Sequence, residues 1–132
     1  MFSRGQLAAL AGVNSETIRY YERKGLLPKP QRTPAGYRQY APNDLKRLQF
    51  ILAAKRHGFT LAEIKELLEL RVSDSATCRQ VRAKAQNKIF LIDKKINELE
   101  RIKKALSLLS QRCHNKYPVE ECPILDAFEQ EQ

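Results

Sequence analysis

The chain has 132 residues, a net charge of +9 and 42% hydrophobic residues, which suits one globular domain or a small domain with an appendage. No apolar run approaches the ~20 residues needed to span a bilayer, and the first residues are too weakly apolar for a signal peptide. We therefore expect a cytoplasmic protein, in which the three cysteines stay reduced and form no disulfide framework.

The positive charge is concentrated in the first part of the chain. Residues 1–72 contain 13 Lys or Arg against 6 Asp or Glu, whereas residues 73–132 contain 11 against 9. A compact basic segment indicates a polyanionic partner, most often nucleic acid.

Two short helices are predicted at the N-terminus, over residues 4–11 and 15–24. Ser3-x-x-Gln6 is a capping-box pattern that opens the first helix. Gly12-Val13-Asn14 separates the two helices, and Asn14 can cap the second. Two helices joined by a tight turn that contains glycine are typical of a helix-turn-helix.

A segment without helix follows and then two more helices. Residues 28–40 contain three prolines and a glycine, which favours a small β-hairpin, or wing, around Pro34-Ala35-Gly36. Apolar residues at helical spacing predict a third helix over residues 42–57 and a fourth over residues 61–71, the latter opened by the capping box Thr60-x-x-Glu63.

A long helix is predicted after a polar linker at residues 72–77. Its apolar residues recur every three or four positions, as in a coiled coil. A single apolar stripe of this length needs a partner to cover it, and we expect a second copy of the chain. The seam residues predicted at the dimer interface are Ile89, Ile92, Ile96, Leu99, Ile102, Leu106 and Leu109.

The three cysteines bracket this helix. Cys78 and Cys113 are 35 residues apart, which corresponds to ~50 Å of helix, whereas a metal–thiolate bond is only ~2.3 Å long. One site that contains Cys78, Cys113 and Cys122 therefore requires Cys78 from a second, antiparallel subunit. Soft thiolates select soft metals, so this pattern predicts a soft-metal sensor built across a dimer.

Four motifs carry a resemblance to a known family. They are T-I-R-Y-Y-E-x-x-G-L-L from Thr17, G-Y-R-x-Y from Gly36, D-L-x-R-L-x-F-I from Asp44 and G-F-T-L-x-E-I from Gly58. In these motifs and along essentially its whole length, the chain resembles the mercury-resistance regulator (MerR) family of bacterial transcription factors.

The resemblance implies a mostly α fold. It consists of a winged helix-turn-helix DNA-binding domain with linking helices at residues 1–71, a linker at 72–77, a long antiparallel coiled-coil dimerisation helix at 78–112, and a metal-binding loop with a short final helix at 113–132. It also implies a homodimer without enzymatic activity. Such a dimer distorts a promoter with an overlong spacer and, when metal binds, realigns it for RNA polymerase.

The second helix is expected to enter the major groove. Arg19 is the main candidate for reading a base, because Arg binds guanine through two hydrogen bonds, while Tyr20, Tyr37 and Arg38 are expected to hold phosphates. One of Tyr20 and Tyr21 is expected in the core. The full set of predicted DNA-binding residues is Glu16, Thr17, Arg19, Tyr20, Arg32, Tyr37 and Arg38.

The choice of metal rests on the cysteine pattern. Cys78 at the start of the long helix resembles the sensors of divalent soft metals, while the monovalent copper, silver and gold branch carries a non-Cys residue there. The zinc branch typically has a Cys-Cys pair where this chain has Cys113-His114. The spacing is similar to mercury sensors and also to some lead sensors, so mercury(II) is favoured and lead, cadmium and zinc stay open. His114 is more readily a loop residue than a fourth ligand.

Cys78 and Cys122 are both placed at helix N-termini, where unpaired N–H groups favour a thiolate. A redox-responsive regulator using Cys113 and Cys122 is the main alternative within the same fold. An enzyme is not supported, because the chain shows no acid–base constellation and no nucleotide-binding loop.

Overall fold

The computed structural model describes residues 1–113 and 118–131, and these form two compact units, Met1–Ala83 and Lys84–Gln132. The elements in chain order are α1 (Arg4–Ala11), α2 (Ser15–Arg23), β1 (Gln31–Arg32), β2 (Arg38–Gln39), α3 (Pro42–Arg56), α4 (Leu61–Val72), α5 (Cys78–Gln111), a 3-10 turn (Val119–Glu121) and α6 (Pro123–Gln130). The mostly α architecture predicted from the sequence is confirmed.

The helix boundaries follow from their caps. The Ser3 side chain accepts a hydrogen bond from the Gln6 amide while the Gln6 side chain accepts one from the Ser3 amide. The same reciprocal pair joins Thr60 and Glu63 at the start of α4. Each pair satisfies backbone N–H groups that the first helical turn leaves without partners, so both helices begin where the capping boxes predicted.

The wing is a two-stranded antiparallel hairpin. Gln31 pairs with Gln39 and Arg32 with Arg38, and Gly36 occupies the turn at φ +88°. A residue with a Cβ atom is strained at such a positive φ, so glycine, which has none, is suited to this position. An isolated antiparallel bridge between Phe2 and Tyr40 joins the N-terminal residues to the end of the wing.

The core of the first unit is built from α1, α2, α3, α4 and the residues that follow α2 and β2. Leu7, Ile18 and Tyr21 contribute from the first two helices. Leu10 of α1 is 54% exposed, because α1 packs on α2 and α3 through Leu7 and Ala8. The buried apolar residues of the described chain are Leu7, Ala8, Ile18, Tyr21, Leu26, Leu27, Tyr40, Leu48, Ile51, Ile64 and Leu68.

The second unit contains most of α5 together with α6. The last turns of α5 and the last residues of α6 line a cavity of about 520 Å3, whose walls include Leu106, Leu108 and Phe128. None of the residues of α5 is buried, so the single chain leaves most of the apolar face of the long helix uncovered.

Candidate DNA-binding and metal-binding sites

Helix α2 begins at a side-chain cap that uses one of the predicted DNA-binding residues. The Asn14 side chain accepts hydrogen bonds from the amide and from the hydroxyl of Thr17, both at 2.9 Å. Thr17 is half-buried. Its hydroxyl therefore belongs to the cap that sets the start of the helix.

The exposed face of α2 presents Arg19 beside Glu16. Their side chains form an ion pair with Arg19 Nη1 and Glu16 Oε1 2.8 Å apart, and 50% and 69% of the two side chains are exposed. An exposed pair three residues apart on a helix is weak. Arg19 can therefore exchange this partner for a base edge or a phosphate.

The two adjacent tyrosines of α2 have different environments. Tyr21 is buried. Its pKa is raised above the ordinary value mainly by this burial and secondly by the neighbouring Tyr20. Tyr20 is 40% exposed, with the Lys24 ammonium 5.7 Å and the Arg23 guanidinium 6.0 Å from its ring centroid. The expectation that one tyrosine packs in the core while the other is on the surface is correct.

The wing presents the remaining predicted contacts. Tyr37 is 74% exposed, Arg32 is exposed and Arg38 is half-buried. The turn between the strands is held by a hydrogen bond from the Tyr37 amide to the Thr33 hydroxyl oxygen. A hairpin of this kind can present cationic and aromatic side chains for contact with a DNA backbone.

A cationic pocket of about 230 Å3 lies between α1, α2 and the wing. Two of its cations, Arg19 and Arg38, were predicted as DNA-binding residues. Arg4, Arg23 and Lys29 were not. Arg4 lies on α1 and Lys29 precedes β1, so only the folded structure shows that they approach α2, whereas Arg23 is four residues after Arg19 on the same helix and this spacing could have indicated it. The residues lining the cationic pocket are Arg4, Arg19, Glu22, Arg23, Lys29 and Arg38.

The cysteines lie at the ends of helices. Cys78 is the first residue of α5 and is exposed, while Cys122 is the N-cap of α6 and is half-buried. Cys113 lies two residues after the end of α5 and is half-buried. All three are thiols, and such a soft donor set fits a soft metal ion.

A single copy of the chain does not assemble these thiols into a site. Among residues 1–113 and 118–131, no three His, Cys, Asp or Glu side chains are grouped so that they could hold a metal ion. His114 lies outside the described residues.

The predicted seam of α5 is exposed from Ile89 to Leu106. Ile89 is 56% exposed, Leu99 is 52% exposed, and Ile92, Ile96, Ile102 and Leu106 fall between 42% and 47%, while Leu109 is half-buried. Exposed apolar residues in one continuous stripe are typical of a surface that another helix covers.

In the described part of the chain, no helix combines the length and the apolar character needed to cross a bilayer.

Comparison with known proteins identifies the family. Residues 2–70 match the profile of the MerR HTH family regulatory proteins, and residues 45–109 match the profile described as MerR, DNA binding. The chain belongs to the MerR family. It is a transcription regulator with a helix-turn-helix DNA-binding domain, and not an enzyme.

The chain is similar to three regulators along nearly its whole length. The chain is 46% identical over 127 residues to the mercuric resistance operon regulatory protein of Bacillus cereus, with 96% of each chain covered. It is similar to the dual-function regulator MerR of Bacillus megaterium MB1 in complex with mercury(II), at 40% identity, a TM-score of 0.74, and 98% and 100% coverage. It is also similar to the regulator PbrR691 of Ralstonia metallidurans CH34 in complex with lead(II), at 34% identity, a TM-score of 0.87, and 97% and 99% coverage.

Proposed function

We propose that the protein is a dimeric, metal-responsive activator of metal-resistance genes and that its effector is mercury(II). The observation that carries the proposal is the position of Cys78 and Cys113 relative to α5. Cys78 opens an unbroken helix of 34 residues and Cys113 follows its end, so a helix of ~50 Å separates them within one chain.

An antiparallel dimer removes this separation. Two copies of α5 that cover each other's apolar stripe in opposite directions bring Cys78 of the partner subunit to the end that holds Cys113 and Cys122. Two-fold symmetry then creates two equivalent sites. The exposed seam from Ile89 to Leu106 supplies the apolar surface that such a pairing buries.

The chemistry of three sulfurs favours mercury(II) among divalent metals. Three thiolates without an obligatory fourth ligand suit a three-coordinate soft ion, whereas structural zinc sites are almost always four-coordinate. Similarity to a mercuric resistance regulator at 46% identity supports the same assignment. Lead(II) is the second candidate, because the lead-bound regulator PbrR691 has a similar backbone, with a TM-score of 0.87.

The proposed action takes place in the cytoplasm, on a promoter with an overlong spacer. Helix α2 and the wing hold the DNA, and Cys78 follows directly on the linker from α4. An effector shifts a conformational equilibrium only through its different affinity for the two states. The bond between the metal and Cys78 provides that difference in affinity, because it can form only when the linker adopts the orientation that realigns the promoter for RNA polymerase.

A promoter reporter titrated with mercury(II), lead(II), cadmium(II) and zinc(II) tests the effector. Induction by mercury(II) at concentrations well below those needed for the other ions is expected. Induction by lead(II) at the lowest concentration would replace mercury(II) by lead(II), and induction by peroxide with loss of titratable thiols would favour a redox sensor.

Mixed dimers test the shared site. A dimer of one Cys78→Ala subunit and one Cys113→Ala subunit retains one complete set of three thiols and loses the other. We expect it to bind one equivalent of mercury(II) with the affinity of the wild type, whereas either homodimeric variant loses high-affinity binding. High-affinity binding by a monomer through all three thiols would contradict the antiparallel arrangement.

A further inference from the structure

Three side chains from three elements meet at one edge of the cationic pocket. The Tyr40 hydroxyl donates a hydrogen bond of 2.5 Å to Glu22 Oε1, and it accepts one of 3.1 Å from Arg4 Nε. Arg4 also donates from Nη2 to Glu22 Oε2 at 3.4 Å. Each of the three residues therefore contacts the other two.

This network is largely removed from solvent. The side chains of Arg4 and Glu22 are only 11% and 12% exposed, and Tyr40 is 1% exposed. Burial removes much of the water that would otherwise solvate the charges of Arg4 and Glu22. The additional hydrogen bonds replace this solvation, and they are kept only in this arrangement of the side chains. The positions of the three side chains are therefore strongly coupled.

The network also joins the elements that carry the DNA-binding cations. Arg4 opens α1, Glu22 is in the last turn of α2, and Tyr40 follows β2 directly. Backbone hydrogen bonds between Phe2 and Tyr40, at 2.7 and 2.8 Å, also attach Tyr40 to the residues that precede α1. Arg38 lies two residues before Tyr40 in extended chain, so the network fixes the wing cation relative to α2.

The pocket has the charge of a phosphate site. Its lining contains five cations and one carboxylate, and both oxygens of that carboxylate already accept hydrogen bonds from Tyr40 and Arg4. Arg4 uses Nε–H and one Nη2–H for these bonds, whereas a guanidinium carries five N–H donors in a planar fork suited to phosphate. Arg4 is thus both anchored and able to donate into the pocket.

We propose that the cationic pocket binds one phosphodiester group of the DNA backbone through Arg4, and that Glu22 and Tyr40 are positioning residues that hold Arg4 and the wing for this contact. The inference rests on the proposed DNA-binding function and adds a backbone contact from α1 to those of α2 and the wing.

Salt dependence tests the phosphate contact. The probes are a duplex selected from a random pool by its affinity for the wild-type protein and a random duplex of equal length. We expect Arg4→Gln to reduce the slope of log K against log salt by about 0.9, the value for one phosphate contact, on both duplexes. Arg4→Lys keeps the charge and should keep the slope. Lys65→Gln, which removes an exposed cation from α4, is the matched control and should leave the slope unchanged.

The positioning role of Glu22 is tested by a substitution for which electrostatics alone and loss of positioning predict opposite changes in DNA affinity. Glu22→Gln removes a negative charge beside the phosphate, so electrostatics alone predicts tighter DNA binding. We expect weaker binding to the selected duplex instead, by about twofold or more, as for residues coupled in one network. Tyr40→Phe removes only the hydroxyl and should weaken binding in the same direction. Tighter binding by Glu22→Gln, or a lower Tm for Tyr40→Phe with unchanged affinity and slope, would overturn the positioning role.

The outcomes separate this inference from the proposed function. A random pool from which the wild-type protein enriches no preferred duplex at any salt concentration would overturn DNA recognition itself. A wild-type protein that binds normally while Arg4→Gln behaves like Lys65→Gln would overturn only the phosphate pocket. A calorimetric titration with inorganic phosphate completes the test, since phosphate binding that Arg4→Gln abolishes without any change in the DNA salt slope would assign the pocket to a free anion and overturn the proposal.

Discussion

Arg19 Nη1 lies 2.8 Å from Glu16 Oε1, one helical turn earlier on the exposed face of α2. The pair keeps the guanidinium along the helix surface. Because both side chains are largely in solvent, the cost of separating them is small. Arg19 can therefore leave Glu16 for DNA.

The first prediction concerns the role of Arg19 in sequence recognition. Arg19→Ala should weaken binding to the selected promoter duplex by ~1–3 kcal/mol and relax the sequence preference, because a bidentate contact to guanine is lost. Gel-shift titrations on specific and random duplexes measure both effects. Equal losses on the two duplexes would remove Arg19 from base reading and leave it a backbone contact.

The second prediction concerns Arg38 in the wing. Arg38→Ala should weaken binding to all sequences and reduce the salt slope by about 0.9, because one phosphate contact is lost and phosphate contacts carry no sequence information. Fluorescence anisotropy at several salt concentrations provides the slope. A selective loss on the promoter duplex would show that Arg38 reads sequence or DNA shape.

The third prediction concerns the seam of α5. Leu99 is 52% exposed in the single chain, and Leu99→Asp places two like charges in the interface of the proposed dimer. We expect a monomer at micromolar concentration in sedimentation experiments. Asn97→Asp adds the same charge on the opposite side of the helix, away from the seam, and should remain dimeric. A dimeric Leu99→Asp protein would contradict the predicted interface.

The fourth prediction follows from the buried tyrosines. The pKa of Tyr40 is raised chiefly by burial, and further by its hydrogen bond to Glu22, while Arg4 lowers it. A group whose pKa is raised by folding stabilises the protein fully below its unfolded value of about 10, and this contribution is lost as the pH rises through the folded pKa. The free energy of unfolding should therefore fall at alkaline pH.

Tyr40→Phe isolates the contribution of this one hydroxyl. Urea unfolding at about pH 9 and about pH 11, on either side of the tyrosine range, should show a smaller alkaline loss for Tyr40→Phe than for the wild type. The residual loss contains the share of Tyr21, whose pKa is also raised by burial. An identical loss in both proteins would show that Tyr40 ionises as readily when folded as when unfolded.

The helices could be predicted from the sequence because their signals are local. Asn14 and the two capping boxes lie within three residues of the amides that they cap, so a short segment of sequence determines where each of these helices begins. The glycine and proline content of residues 28–40 marked the wing in the same way.

The cationic pocket could not be predicted from local signals. Arg4 and Tyr40 are 36 positions apart and Glu22 lies 18 from each, so no helical or strand period connects them. Only the packing of α1, α2 and the wing brings them together. The proposed thiol site differs in this respect, because the 35-residue spacing of Cys78 and Cys113 already predicts that a second copy of the chain is needed to complete it.

The last prediction concerns the separation of DNA binding from metal response. Replacement of Cys78, Cys113 or Cys122 by Ser removes a soft ligand while it preserves the size of the side chain. Each variant should lose induction by mercury(II) and keep promoter affinity within about threefold of the wild type, a difference below ~0.7 kcal/mol. In the proposed mechanism, DNA binding depends on α2, the wing and the cationic pocket of the first unit, whereas the response depends on the bond between the metal and Cys78. Gel-shift affinity and reporter output should be measured together for all three variants, with Ser107→Ala on α5 as a control outside the thiols. A variant that remains fully inducible would show that its cysteine is not a required ligand, and loss of promoter binding by all three would show that the thiols stabilise the fold.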